Sequence, residues 1–128
     1  MAALSDYAEN AILNHVLGTS AYTFDGSVWL SLHTADPTDA GSGAEVSGGS
    51  YARQAIVFSS ASCTGGSTSN STAEEFTNMP VATVTHIGIW DSVTGGNLLF
   101  HGAVSASKTV ASGDTISVAA AAVTVTLA

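Results

Sequence analysis

The chain has 128 residues and a formal net charge of -8, and only 9% of its residues are charged, against roughly 25% in an average globular protein. Lysine and arginine occur once each, as Lys108 and Arg53, which is too few for phosphate contacts with nucleic acid or for a polybasic membrane patch. A hydrophobic share of 45% disfavours disorder, and the length predicts a single domain spanning residues 1–128.

The N-terminal segment lacks the pattern of a targeting sequence. Asp6 and Glu9 lie where a secretory signal needs cations followed by an apolar run. No stretch reaches the roughly 18–20 apolar residues of a membrane helix. The single cysteine, Cys63, cannot form a disulfide within the chain. We therefore expect folding in a reducing cytoplasm and contact with neither membrane nor nucleic acid.

One helix is predicted, over Leu4–Leu17. Ser5 or Asp6 can accept a hydrogen bond from a free backbone N–H at the start of this helix, and Gly18 supplies a left-handed stop. Apolar residues recur at helical spacing, so one stripe of the helix is apolar. Because a helix of this length is marginal alone, we expect it to dock on a sheet or a neighbouring subunit. The stripe includes Ala8, Ile12 and Val16.

After Gly18 the apolar period changes to two, which is typical of strands. Two segments rich in turn formers are predicted to be loops, residues 36–50 and 59–71. The second could instead form a weakly paired strand at a sheet edge. Thr94–Asn97 contains Gly95-Gly96 and is predicted to turn a hairpin. The predicted strands are Ser27–His33, Ala52–Phe58, Thr83–Asp91, Leu98–Val104, Asp114–Val118 and Val123–Leu127, the last two forming a pair.

Short strands at this spacing, with no alternation of strand and helix, favour an all-β fold, either a β-sandwich or a small barrel. We predict a jelly-roll-like β-sandwich of six to eight short strands with one N-terminal α-helix. A parallel nucleotide-binding sheet is not supported.

Metal ligands are not grouped in a recognisable motif. The turn at Gly95-Gly96 would make His86 and His101 neighbours, but two histidines bonded to the backbone explain that pattern better than a metal site. Asp36, Asp39 and Glu45 share a loop and could hold calcium, although turn capping by acidic side chains is the simpler explanation. We predict no metal and no cofactor.

Catalytic patterns are also lacking. The nucleophile motif G-x-S-x-G does not occur, and Cys63 has no nearby cation in sequence to activate it. Glu74 or Glu75 with Asp91 is the one carboxylate pairing that could serve glycan hydrolysis, and a solvated strand edge explains the glutamates better. We predict no catalytic residues and no enzymatic activity.

The sequence resembles a family of small tailed-bacteriophage virion proteins over nearly its whole length. The resemblance lies in LSDYAENAILNHVLGTSAYT (Leu4–Thr23), in Leu32–Phe58 with DPTDAG and SYARQ, in Val84–Thr115 with TGGNLLFHG, and in the closing VTVTLA. Members are commonly described as tail-fibre-like, and others of similar size look like trimeric capsid cement proteins. The resemblance implies a structural role in the virion after folding in the host cytoplasm, with no catalytic residues.

Two functions follow from this resemblance. The first is a capsid decoration protein on the outer capsid surface, which would bind the major capsid protein, stabilise the DNA-filled head and form a homotrimer. Its docking element would be the helix around Ala8, Ile12 and Val16 or the loop Asp36–Tyr51. Large aromatic side chains dominate many interfaces, so the candidate anchors are Trp29, Tyr51 and Trp90. Core packing is the alternative for each of them, and it explains Trp90 better and Tyr51 equally well.

The alternative is a tail-fibre or tail-tip module that binds a glycan on the host surface. This alternative predicts aromatic and Asp/Asn side chains in one concave site. The two functions also differ in the number of copies of the chain in each virion.

Overall fold

The computed structural model describes residues 3–23, 26–59 and 65–127, so Cys63 lies outside the described residues. This part of the chain is mainly antiparallel β-structure with one helix near the N-terminus, which confirms the predicted all-β class. The elements are β1 (Ala3–Leu4), α1 (Asp6–Val16), β2 (Val28–His33), β3 (Gln54–Ile56), β4 (Ser67–Ser69), β5 (Glu74–Phe76), β6 (Ala82–Trp90), β7 (Leu98–Val110), β8 (Ile116–Val118) and β9 (Thr124–Thr126).

The strands number nine in the described residues rather than six to eight. One added strand, β1, is only two residues long and occupies the predicted start of the helix. Another, β4, lies in the polar segment that was expected to be a loop or a weakly paired edge. Short polar strands carry little periodic signal, because their stability comes from partners distant in sequence.

The main sheet has five antiparallel strands in the order β1-β7-β6-β2-β3. Strands β6 and β7 form a hairpin whose connection contains Thr94–Asn97, as predicted. Gly95 and Gly96 have φ values of 59° and 73°, which glycine adopts without strain. The carboxylate of Asp91 accepts a hydrogen bond from the backbone N–H of Asn97 at 2.7 Å and closes the turn.

The remaining four strands form two separate two-stranded ribbons, β4-β9 and β5-β8. The predicted pairing of Asp114–Val118 with Val123–Leu127 is therefore wrong. In the structure β8 pairs with β5, and β9 pairs with β4.

Asn70 accounts for this arrangement. Its buried side chain donates to the carbonyl oxygens of Thr72 and Ala119 at 2.7 and 2.9 Å, and it accepts from the N–H of Val123 at 2.8 Å. The segment around Asn70 thus satisfies the backbone groups on both sides of the connection from β8 to β9. A buried amide with all these partners stabilises the crossing, because an unpaired buried polar group costs about 1–3 kcal/mol.

The hydrophobic core lies between the main sheet and the two ribbons. Leu30 and Leu32 of β2 and Ile89 of β6 are at most 3% exposed, and they share one face of the sheet because Leu30 lies opposite Ile89. Buried side chains of both ribbons belong to the same cluster, so the ribbons cover this face. The other buried members are Val46, Ile56, Phe76, Met79, Val84, Val110, Ile116, Val123 and Val125.

The opposite face of the sheet, which carries His33 and Trp90, is partly covered by a long loop, residues 34–53, whose Val46 reaches round the edge of β2 into the core. Its residue Val46 donates its N–H to the carbonyl of Leu32 at 2.9 Å, and Thr34 donates to the carbonyl of Ala44 at 2.8 Å. The loop therefore continues the edge of β2 beyond the end of β3. Within the described residues, no helix is long and apolar enough to span a membrane.

Candidate interaction surfaces

Arg53 fastens the long loop to the sheet. Its guanidinium donates to both carboxylate oxygens of Glu45 at 2.8 and 2.9 Å, and to the carbonyl oxygens of Ser92 and Gly95 at 2.9 Å each. The same group lies 3.9 Å from the centre of the Trp90 ring. Trp90 is only 7% exposed, so this predicted anchor is covered by its own chain.

Beneath Trp90 lies a buried polar pair that the sequence analysis missed. Ser31 and His33 are at most 1% exposed, and their Oγ and Nε2 atoms are 2.7 Å apart. Trp90 donates its Nε1–H to Ser31 at 2.8 Å, and Nδ1 of His33 lies 3.1 Å from the carbonyl oxygen of Gly43. The alternation of β2 was the available signal, because residues two apart share one face.

This pair has the residue types of a catalytic dyad but not the access. Since a carbonyl oxygen only accepts, Nδ1 of His33 carries the proton and Nε2 accepts from Ser31. Burial lowers the pKa of His33, against the opposing effect of the bond to Gly43. Both side chains are enclosed, so no substrate reaches them. The pair fixes the loop against the sheet.

Tyr51 joins the loop to β2 and to the core. Its hydroxyl donates to Glu45 at 2.9 Å and accepts from the N–H of Leu32 at 3.0 Å, while its ring stacks on Phe76 at 5.9 Å. Burial raises the pKa of Tyr51. Burial alone would raise the pKa of Glu45, but hydrogen bonds from Arg53 and Tyr51 outweigh it and hold that pKa below its usual value.

The three carboxylates of the calcium hypothesis are used in two different places. Asp39 lies 2.7 Å from Nε2 of His101 and Asp36 lies 3.3 Å from its Nδ1, whereas Glu45 binds Arg53. The N–H of Thr38 also donates to Asp36 and, with the nearby charge of His101, lowers the pKa of Asp36. Across residues 3–23, 26–59 and 65–127, no group of three or more potential ligands could hold a metal ion.

The other sequence-selected polar residues are also separated. His101 lies opposite Gly88 on β6, while His86 lies opposite Ala103 on one side and His33 on the other. Glu74 accepts a hydrogen bond from Thr72 at 2.7 Å, and Asp91 is held by the hairpin turn.

Helix α1 is attached to the sheet through its N-terminal half. Ser5 is completely buried, donates its hydroxyl to the carbonyl of Leu98 and accepts from the N–H of Ala8 at 3.2 Å. Of the predicted apolar stripe, Ala8 is 5% exposed and Ile12 is half-buried. Val16, at the other end of the helix, is 72% exposed. The far end of α1 therefore projects from the body.

The projecting end is apolar. Leu13 is 56% exposed and Leu17, which follows the helix, is 72% exposed. We call Leu13, Val16 and Leu17 the apolar tip. An isolated apolar residue at a surface is ordinary, whereas three together at the end of an element form a candidate interaction surface.

An apolar groove lies beside the attached half of the helix. One part, of about 110 Å³, is lined by Ile12, Leu99 and Phe100, among others. A second part, of about 260 Å³, shares Leu99 and Phe100 and extends towards Phe58 and Leu127. We call these two parts together the apolar groove. The half-buried Trp29 lies elsewhere, opposite Trp90 on the loop-covered face.

Comparison with known proteins assigns the family. Residues 3–126 match the family model described as podophage GP4 fiber I protein gp80. A search of curated proteins found no match. The family match confirms the resemblance to tailed-phage virion proteins and supports a structural rather than an enzymatic protein. Because it covers nearly the whole chain, the protein belongs to the podophage GP4 fiber I protein gp80 family.

Proposed function

We propose that this chain is a structural subunit of the phage tail fibre and that it assembles through contacts between copies of itself. The family description names a fibre protein. The observation that supports assembly is the exposure of the apolar tip, whose three side chains are 56–72% exposed. A large exposed apolar surface is unusual on a protein that works as a free monomer.

A second copy is the occupant that suits the tip. The chain carries both the apolar tip, which includes Val16, and the apolar groove, which is lined in part by Leu99. Full burial of one exposed Val or Leu side chain contributes about 1.5–3 kcal/mol before the costs of association. Three such side chains in the groove of a neighbour supply a driving force without any charged pair.

Insertion of the tip of one copy into the groove of the next is a head-to-tail contact. Such contacts close into a ring when the rotation permits and otherwise form a filament. A ring of three copies is the homotrimer predicted from the sequence. Either outcome suits a fibre, in which one chain is repeated about or along an axis.

The test is the oligomeric state of purified protein, measured by size-exclusion chromatography with light scattering. We expect oligomers from the wild type, and for Val16→Ser an association at least about tenfold weaker, since 1.4 kcal/mol corresponds to a factor of ten. Val81→Ser is the matched control, because Val81 is 74% exposed but lies outside the tip and groove. A monomeric wild type, or equal effects of the two variants, would contradict self-assembly through the tip.

The capsid decoration hypothesis makes a different prediction about copy number. A decoration protein covers the capsid lattice and is present at near-equal numbers to the major capsid protein, whereas a fibre subunit amounts to a small fraction of that number. Quantitative mass spectrometry of purified virions separates the two. Near-equal amounts would favour decoration and contradict the fibre assignment.

A further inference from the structure

A cavity of about 450 Å³ is lined by β6 and β7 of the main sheet and by residues 116–118 and 122–124, which belong to β8 and to the start of β9. We call it the edge cavity. Its floor consists of core side chains, among them Leu32, Val84 and Val123, which are at most 6% exposed. The volume falls within the range of roughly 300–1,000 Å³ typical of ligand sites. The edge cavity shares no lining residue with the apolar tip or the apolar groove, so the proposed assembly does not fill it.

Strand β7 departs from regular pairing where it borders the edge cavity. Val84 of β6 lies opposite Lys108, whereas His86 lies opposite Ala103. One residue of β6 therefore faces four residues of β7, residues 104–107, and these form a large bulge. The extra residues of a bulge have no partner across the ladder. Three of the four line the edge cavity, so the bulge puts unpaired backbone groups at its rim.

The outer edge of β7 is also unpaired along this stretch. Strand β1 pairs with Phe100 and His101 only, and no other strand of the described residues pairs with this edge after Ala103. Strands β8 and β9 likewise have one strand partner each in the described part of the chain. Runs of consecutive residues from β7 and β8 line the edge cavity. Since successive side chains of a strand point to opposite faces, such runs border the cavity with their backbone, and the cavity is a gap between strand edges.

Lys108 determines the charge of this gap. It is the one lysine of the chain, it lines the edge cavity, and it forms no ion pair with the residues that the structure describes. No aspartate or glutamate occurs among the described lining residues. A segment that carries a carboxylate therefore matches the charge of the edge. The same edge of a second copy would instead bring a second lysine, and lysine on an edge strand commonly prevents such self-pairing.

We propose that an extended acidic peptide segment of another protein adds to the outer edge of β7 as a strand and fills the edge cavity. Its backbone would bond to the unpaired groups of β7, and alternate side chains would enter the cavity, whose apolar floor suits side chains such as valine. Strand β1 is antiparallel to β7 at the same edge, so we expect the same orientation for the added segment. Five extended residues span about 17 Å, which matches the stretch of β7 from residue 104 to residue 108. This contact joins the chain to a different protein and so goes beyond assembly through the apolar tip.

The test is a titration of ¹⁵N-labelled full chain with the peptide acetyl-Thr-Val-Glu-Val-Thr-Val-Thr-amide to about 2 mM, which fills about two thirds of a site with a dissociation constant of ~1 mM. We expect shifts of the backbone signals of residues 104–108 and 116–118. A peptide with lysine in place of glutamate should bind at least about threefold more weakly, a modest factor because exposed ion pairs are weak. A peptide with proline in place of the central valine should not bind, because proline cannot donate to the ladder.

Two variants localise the effect. Lys108→Glu should reverse the preference between the acidic and the basic peptide, and Lys108 is exposed, so the substitution preserves the fold. Thr94→Glu is the matched control, because it adds a negative charge at the exposed turn at the other end of the β6-β7 hairpin, and it should leave the preference unchanged. Three results would each overturn the inference: no shift at residues 104–108 with the acidic peptide, equal binding of the acidic and proline peptides, or an unchanged preference in Lys108→Glu.

A second copy at this edge would give a different result. Signals of residues 104–108 would then broaden as the protein concentration rises without peptide, and this outcome would also overturn the inference. The titration is repeated with Val16→Ser, in which assembly through the apolar tip is weakened, and should give the same shifts. Failure of the peptide test leaves the oligomer and copy-number tests of the fibre proposal unaffected, because the edge cavity shares no residue with the apolar tip.

Discussion

Arg53 connects the long loop, the β6-β7 turn and Trp90 through one guanidinium. Its removal leaves the Glu45 carboxylate, 28% exposed, without its cation and leaves two carbonyl oxygens without their donor. Groups deprived of partners in this way cost more than the pair itself contributes.

We therefore expect Arg53→Ala to lower the free energy of unfolding by about 2–4 kcal/mol, measured by denaturant titration. Lys108→Ala is the matched control. Lys108 is the one lysine in the sequence, as Arg53 is the one arginine, and it is exposed on β7. The control should change stability by less than about 0.5 kcal/mol. Similar losses in both variants would show that Arg53 is an ordinary surface cation.

We expect the free energy of unfolding to depend on pH because His33 is buried. Its pKa in the folded protein is lowered from 6.5 by burial, while Glu45, Arg53 and His86 supply smaller opposing or reinforcing effects. Below pH 6.5 the unfolded chain therefore binds a proton that the folded chain does not. The free energy of unfolding should fall as pH decreases from 6.5 towards the folded pKa.

The measurement is denaturant unfolding at several values between about pH 7 and pH 5, above the range in which Glu45 and Asp36 take up protons. His33→Gln should be less stable than wild type throughout but should lose part of the slope. An unchanged slope in His33→Gln would assign the pH dependence to other groups. His33 is the last residue of β2, and nothing in its local sequence pattern signals the loop that encloses it.

At the level of elements, α1 depends on one buried cap. Ser5 accepts from the N–H of Ala8 and also bonds to the carbonyl of Leu98 on β7. Ser5→Ala should cost about 1–2 kcal/mol and should act locally on the helix. Hydrogen exchange should show faster exchange across α1 and little change in β6.

Ser105→Ala provides the comparison, since Ser105 is exposed in the middle of β7. It should leave exchange in α1 unaltered. If Ser5→Ala left the protection of α1 unchanged, contacts of Ile12 rather than the cap would hold the helix.

Local signals made some elements predictable and others not. The helix, with a cap at Ser5 or Asp6, and the hairpin turn at Gly95-Gly96 were predicted because each is encoded within a few residues. The partners of β8 and β9 were mispredicted because Asn70, far away in sequence, determines them. Proximity along the chain favoured a final hairpin that the buried amide prevents.

The candidate surfaces likewise were predictable only where the signal is local in sequence. The sequence selected Ile12 and Val16 from helical spacing, but only the structure shows that Val16 projects and Ile12 does not. Trp90 was a candidate anchor for which core packing was the stronger expectation, and it lies beneath Arg53.

At the scale of the whole molecule, low charge and an apolar tip have a common explanation. A chain with 9% charged residues has few charges to desolvate when its surface is covered by other copies. Under the fibre proposal, many identical contacts between copies would then stabilise the assembly. The family match over residues 3–126 is consistent with this explanation, because the family is named after a phage fibre protein.

The most direct test is a density map of the intact virion into which this chain is fitted. The fibre proposal predicts density for the chain in the tail fibres, with the apolar tip of one copy against a neighbouring copy. Density for the chain repeated over the capsid lattice would contradict it.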